Sequence, residues 1–230
     1  MPQQVTLVRH GQASVQGATY DALSPLGHQQ AKALGTYWAE RRVEFETVYI
    51  GPRRRHAETA AGVALAYRER NLFWPEPILV PELDEHDGLA VLKIAAGISE
   101  PGDGLLTGHE SRDATVKRLF GRYREIMGDW AAGGFASDGI EPWRVFRERA
   151  NRAVNRVCAL PGRAVAFTSG GLVAAAVGAL LDLDDRRVIH LSSEVHNTGL
   201  TDLRHRASDV GLVTFNSIPH LEDATTITRI

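Results

Sequence analysis

Residues 5–12 read Val-Thr-Leu-Val-Arg-His-Gly-Gln, an apolar run that passes without a break into a cation, an imidazole and a glycine. The run reads as a buried strand, and the carboxyl ends of strands in open α/β sheets form the crevice where ligands bind. Arg9 and His10 would then be held by a rigid strand, while Gly11 lets the chain turn and lets backbone N–H groups come close to a ligand. Taken alone, the tripeptide is equally an exposed strand end. A second segment helps to break that tie. Arg53, Arg54 and Arg55 follow a short strand pattern at 47–50 and the turn Gly51-Pro52, and they open a helix, which is where an anion is bound rather than where a solvated basic face usually sits. A third apolar run, 164–168, ends in Ser169-Gly170-Gly171. The chemistry these three strand ends suggest is performed on an anionic ligand.

The chain that must position them has 230 residues, 43% hydrophobic and 23% charged, enough for one large core with an insertion. We expect a single domain over 1–230. The formal net charge of -2 leaves no basic footprint for nucleic acid and no polybasic patch for a membrane surface, so local arginines must meet any anion. One cysteine, Cys158, excludes an internal disulfide and a cysteine-rich metal site, which fits a reducing cytoplasm. No apolar run reaches the roughly 18 residues of a membrane span, and the first residues carry no signal-peptide pattern.

In chain order, Gly17 to Asp21 reads as loop. Ser24 caps a helix with Pro25 at its first position and an apolar face through Leu26, Ala31, Leu34 and Trp38. Strand 47–50 leads into the helix that Arg53–Arg55 open, and 78–80 is a short strand followed by the carboxylate-rich stretch 82–87. Residues 89–143 look like a mainly helical cap insertion: glycines at 97, 102, 104 and 108 precede helical spacing through Val116, Leu119, Tyr123, Met127 and Trp130, with Tyr123, Trp130 and Phe135 as aromatic walls. A helix runs to Val157, strand 164–168 follows, then an apolar helix over 172–183 and a short one over 184–192. Two consecutive helices return the chain to the side it left, so strand 199–206 should run antiparallel before a last strand at 212–218. The expected fold is a three-layer α/β/α sandwich with a mostly parallel central sheet, one antiparallel strand and the cap.

Leu7-Val8-Arg9-His10-Gly11-Gln12, Leu23-Ser24-Pro25-Leu26-Gly27 with Gln30-Ala31, Gly51-Pro52 with Arg55 and Thr59-Ala60, and Leu83-Asp84-Glu85 occur in an order that resembles the histidine phosphatase (phosphoglycerate mutase-like) superfamily. Asn197 to Leu203 and Asn216 to Leu221 resemble its closing strands. The resemblance implies that His10 is a neutral nucleophile toward a phosphoryl group and forms a phosphohistidine. It also implies that Arg9 and Arg55 bind phosphoryl oxygens and that no metal or other cofactor takes part. Glu85 would protonate the leaving oxygen, a role that asks for a pKa above that of a free carboxylate. Gly11 and Gly170 are expected to complete the phosphate-binding set.

One position departs from the family. After the fourth strand the family has a second His followed by Gly, where this chain has Ser169-Gly170. Exchanging a charge-assisted hydrogen bond for a neutral one costs roughly one or two kcal/mol, about a tenfold loss of rate. His196, expected at the start of the antiparallel strand on the same rim, is the residue that would supply the lost donor, unless it only caps the strand or faces solvent. The readings are therefore a metal-independent, cytoplasmic phosphatase acting on a small phosphorylated substrate, or a module that binds a phosphorylated ligand and turns it over weakly. A mutase is the weaker reading, because Glu85-His86-Asp87-Gly88 departs from the mutase pattern.

Overall fold

The computed structural model describes residues 3–14, 21–95, 112–135, 138–159, 161–206 and 209–229. The loop expected at Gly17 and the glycines at 97, 102, 104 and 108 lie outside them. Strand β1 (Gln3–Arg9) sends Val5 and Leu7 into one apolar cluster and Val8 into another on the opposite face. Strand β4 (Arg163–Thr168) alternates in the same way, with Ala164 and Ala166 on one side and Val165 and Phe167 on the other. A strand whose successive side chains are both buried must be covered on both faces, which is why these runs are apolar without a break.

The sheet has six strands in the order β3-β2-β4-β1-β5-β6, with β2 at Thr47–Ile50, β3 at Pro77–Leu79, β5 at Leu200–Arg206 and β6 at Asp209–Ser217. β1 pairs in parallel with β4, and β2 with both β3 and β4, whereas β5 is antiparallel to β1 and to β6. One antiparallel strand in an otherwise parallel sheet is what two consecutive helices ahead of β5 demand.

Helices α1 (Pro25–Glu40) and α2 (Arg54–Arg68) cover one face through Leu34, Trp38, Ala60, Val63 and Tyr67. The other face carries the larger cluster, built from α3 (Gly88–Ala95), α4 (Arg112–Ala131), α5 (Trp143–Val157), α6 (Gly170–Leu180) and α7 (Asp185–Ser192). This is the α/β/α sandwich expected. Helix α3 falls where only the start of an insertion was read, and α6 begins at Gly170, two residues ahead of its apolar pattern. No helix among the described residues is long and apolar enough to cross a membrane.

Candidate active site

His10 leaves β1 with its backbone N–H donating to Thr168 O (2.9 Å) and its carbonyl accepting from Asn197 Nδ2 (3.1 Å). The main chain at His10 is therefore tied to β4 on one side and to the residues ahead of β5 on the other. The ring's Nδ1 lies 2.6 Å from Gly11 O, so it carries the proton and donates it there, which leaves Nε2 as a bare lone pair. Burial, together with the charges of Arg55 and Arg9, holds the His10 pKa well below its ordinary value, so the ring is neutral. Gly11 is required by close approach: a Cβ there would stand 2.5 Å from Gly27 O, and one at Gly27 would collide with Gln12 O. That contact, with Ser24 capping α1 by accepting from Gly27 N–H (3.1 Å), packs the start of α1 directly against the turn after His10.

Arg9 and Arg55 flank the ring. Arg9 Nη1 donates to the carbonyls of Val195 and, at 2.6 Å, of Arg229. Arg55 Nη1 pairs with Asp21 Oδ1 at 2.5 Å and Nη2 donates to Ser169 Oγ at 3.3 Å. Both guanidinium Nε–H groups are buried without a hydrogen-bond partner among the described residues. Buried donors left unpaired are costly, and an arriving anion would satisfy them. Burial, and after it the nearness of Arg55, lowers the Arg9 pKa to about 10 despite the opposing pull of Glu85. A site that crowds cations around a neutral imidazole is poised to gain from a bound dianion.

Ser169 stands at the N-cap position of α6, yet its side chain makes no cap bond. Its Oγ instead lies 2.7 Å from Nε2 of His56, a wholly buried histidine in the first turn of α2 whose ring centroid is 5.8 Å from that of His10. His56 was not singled out in the sequence; only its place directly after Arg55 could have drawn attention to it. Burial and the Arg55 charge hold it neutral, with its pKa lowered to about 3.

The vacant cap is taken by Glu85, whose Oε2 accepts from Gly171 N–H at 2.9 Å. Its Oε1 faces His86 Nδ1 at 2.8 Å, and His86 Nε2 faces Tyr123 Oη at 3.1 Å. The His86 ring is stacked with Trp130 and meets Phe146 and Trp143 edge-on. Of the three aromatics expected as substrate walls, Tyr123 and Trp130 meet His86, and Tyr123 is also within electrostatic reach of Glu85 and Arg9, while Phe135 packs partly buried against the core. Here the structure corrects the expected acidity. Burial pushes the Glu85 carboxyl up, but His86, the Gly171 N–H and Arg55 outweigh it and hold the pKa at about 2. With no ligand bound, Glu85 is an anion rather than a carboxylic acid. The segment is fixed from outside the site by Arg149, which donates to the carbonyls of Glu82 and Asp84, and by Arg53, paired with Asp84 at 2.5 Å.

His196 lies ahead of β5 on the expected rim, half-buried, but its Nε2 accepts from Arg229 Nε (3.2 Å). The imidazole bonded to Ser169 is His56, not His196. Gly170 packs against the Arg9 side chain, which a Cβ at 170 would meet at 3.3 Å.

Two outcomes follow from these contacts. Arg55→Ala removes charge-assisted bonds at the site and should lower kcat/KM about 10- to 100-fold, whereas Arg53→Ala, which loses a part-exposed pair with Asp84, should cost about fivefold or less. Steady-state kinetics of the two variants check this, and equal losses would misplace the motif. The second concerns stability. His10, His56 and His220 all have folded-state pKa values below that of an unfolded histidine, with His220 near 4. The unfolded chain therefore takes up protons first as pH falls from about 6.5. Each such group removes on the order of 1 kcal/mol per pH unit until its own folded pKa is reached. Urea unfolding at pH 7, 6 and 5 should show this loss, and His56→Gln should reduce the slope.

Residues 5–91, the stretch that carries His10, Arg55 and Glu85, match the family model of the histidine phosphatase superfamily (branch 1). Three solved structures show the same fold over nearly the whole chain. Phosphoserine phosphatase from Entamoeba histolytica is 20% identical with a TM-score of 0.63, covering 95% of this chain and 98% of its own. Phosphoglycerate mutase from Bacillus anthracis is 17% identical with a TM-score of 0.62, covering 96% and 95%. The alpha-ribazole phosphatase from Shigella flexneri is 18% identical with a TM-score of 0.62, covering 93% and 96%. A search of curated proteins gives no match. The histidine phosphatase resemblance read from the motifs is thus shared by the family model over the first part of the chain and by the fold over the whole.

Proposed function

We propose that the chain is a metal-independent phosphatase that hydrolyses a small phosphomonoester through a phosphohistidine at His10, with helices α3 and α4 as its cap. The observation that carries the reading is the neutral His10 ring, fixed by Gly11 O with Nε2 bare, between two arginines whose buried Nε–H groups are unpaired. In this reading Nε2 attacks phosphorus in line with the leaving oxygen, the P–O bond breaks, and the leaving oxygen takes a proton from Glu85. Water then attacks the phosphohistidine, Glu85 accepts its proton, and inorganic phosphate leaves. Arg9 and Arg55 offset the charge that builds on the phosphoryl oxygens.

The ionised Glu85 makes substrate binding proton-linked. A phosphate dianion placed among Arg9 and Arg55 weakens their hold on the carboxylate, so Glu85 takes up a proton as the substrate enters or receives it from a monoanionic substrate. The test is an assay of an aryl phosphate in EDTA, with trapping of an acid-labile, base-stable phosphoprotein. Turnover with a trapped intermediate supports the phosphatase. Tight binding of inorganic phosphate with neither would support the module that binds without turning over, a reading favoured by one observation: neither Ser169 nor the neutral His56 restores the positive charge of a second histidine.

A further inference from the structure

Ser169 Oγ is the point where Arg55 and His56 meet, although 114 and 113 residues of chain separate them from it. A serine hydroxyl has two lone pairs and one hydrogen. Arg55 Nη2 can only donate, so it occupies one lone pair. His56 is wholly buried, and its Nδ1 lies against the Gly51 backbone, which draws its pKa upward but leaves this nitrogen without a hydrogen bond of ordinary geometry among the described residues. A buried N–H without an acceptor is costlier than a bare nitrogen lone pair, which assigns the ring proton to Nε2, donating to Ser169. Both lone pairs of Oγ are then filled and its hydrogen is left for a third partner. Ser169 follows Thr168, which is paired with Arg9 across β4 and β1, so the residue, wholly buried, stands at the strand end beside that of His10. Its side chain makes no cap bond to its own helix, and among the described residues no other acceptor is hydrogen-bonded to that hydroxyl.

We propose that His56 is a positioning residue that holds the Ser169 hydroxyl so that it donates to the transferring phosphoryl group, the Ser169–His56 pair standing where the family carries its second histidine. The inference rests on the reading of phosphoryl transfer at His10. No proton is transferred: the hydroxyl keeps its hydrogen and shares it with a phosphoryl oxygen, and two donors behind it make it a stronger donor than an isolated serine. The imidazole does not touch the substrate. Its place is fixed by neighbours on both sides, since a Cβ at Gly51 would collide with Nδ1. Arg55 and His56 reach the same atom because consecutive residues in the first turn of α2 diverge by about 100° around the helix, enough to approach Oγ from two directions.

The experiment compares His56→Gln, His56→Leu, Ser169→Ala and the double variant His56→Leu with Ser169→Ala. The readouts are kcat and KM for an aryl phosphate and the Kd of inorganic phosphate by calorimetry, with thermal unfolding to establish that each variant folds. We expect His56→Leu and Ser169→Ala each to lower kcat/KM and phosphate affinity about tenfold, and the double variant to be no worse than either. His56→Gln, whose Nε2–H can still donate to Ser169, should recover most of the loss. Additive losses, an unaffected His56→Leu, or a His56→Gln as impaired as His56→Leu would overturn the proposal. Should His56→Leu fail to fold, the exchange His56→Ala with Ser169→His decides it. The vacated space should admit an imidazole at 169 and keep activity, whereas Ser169→His alone meets the His56 ring and should lose it; an inactive but folded exchange variant rejects the proposal. If the native protein neither turns over substrate nor forms phosphohistidine, the proposed function fails by itself, and the non-additivity in phosphate affinity still decides the role of His56.

Discussion

His10→Ala is expected to bring turnover to background, a loss on the order of 10⁴-fold or more, while the protein stays folded. The size of the effect follows from the covalency of the proposed mechanism: without Nε2 there would be no atom on which the phosphoryl group could rest between the two half-reactions. The fold should survive because the ties at this position are made by the main chain, from His10 N–H to Thr168 and from Asn197 to His10 O, and alanine keeps both. Removing a buried imidazole that resists protonation should also leave the variant less sensitive to acid than the native protein. The measurement is trapping with a labelled phosphomonoester, followed by acid and base treatment of the phosphoprotein. A variant that still forms the intermediate, or keeps more than a trace of turnover, would remove His10 from the mechanism.

The second large effect is expected at Glu85, and it depends on the leaving group. General acid catalysis contributes about 10²- to 10⁴-fold, and an alkyl phosphate, whose leaving oxygen is strongly basic, needs all of it. An aryl phosphate with an acidic phenol needs little. Glu85→Gln should therefore depress kcat/KM for the alkyl substrate by about that range and for the aryl substrate far less. The pH dependence gives an independent check with a definite sign. The proposed mechanism requires the acid form of Glu85, whose pKa in the ligand-free protein is about 2, so kcat/KM for the alkyl substrate should rise as pH falls from 8 toward 5. His10 does not oppose this, because its own pKa is held well below the ordinary imidazole value. In Glu85→Gln the rise should vanish. An unchanged pH profile, or equal losses for the two substrates, would assign the proton donor elsewhere, and His86 would then be the group to replace.

The sequence by itself was enough for the mostly parallel sheet with one antiparallel strand and for the carboxyl ends of β1, β2 and β4, but not for the strand order or for the start of β6, which lies at Asp209 rather than 212. The runs at 5–8 and 164–168 are apolar because both faces of β1 and β4 are covered, and Ser24, Pro25 and Gly27 announce α1 through contacts made within a few residues. Because these signals are local, the strand ends at Arg9-His10, Gly51 and Thr168-Ser169 could be placed on one rim before any contact was seen. The parallel arrangement of β1, β2 and β4 then brought Arg9, His10, Arg55 and Ser169 together.

Only the tertiary structure decided what these residues face. His56 meets Ser169 because α2 docks its first turn against the end of β4, a contact that no periodicity encodes. His196 stands ahead of β5, and its ring is engaged by Arg229 from the end of the chain. The charge state of Glu85 depended on more than its motif: burial favours the acid, while the Gly171 N–H, His86 and Arg55 together favour the anion. Gly171 and Arg55 come from segments far apart in sequence, and even the adjacent His86 acts only in the orientation the folded chain gives its ring. Residue type and spacing fix which groups a site can hold, but the proton on each group is fixed by everything packed around it.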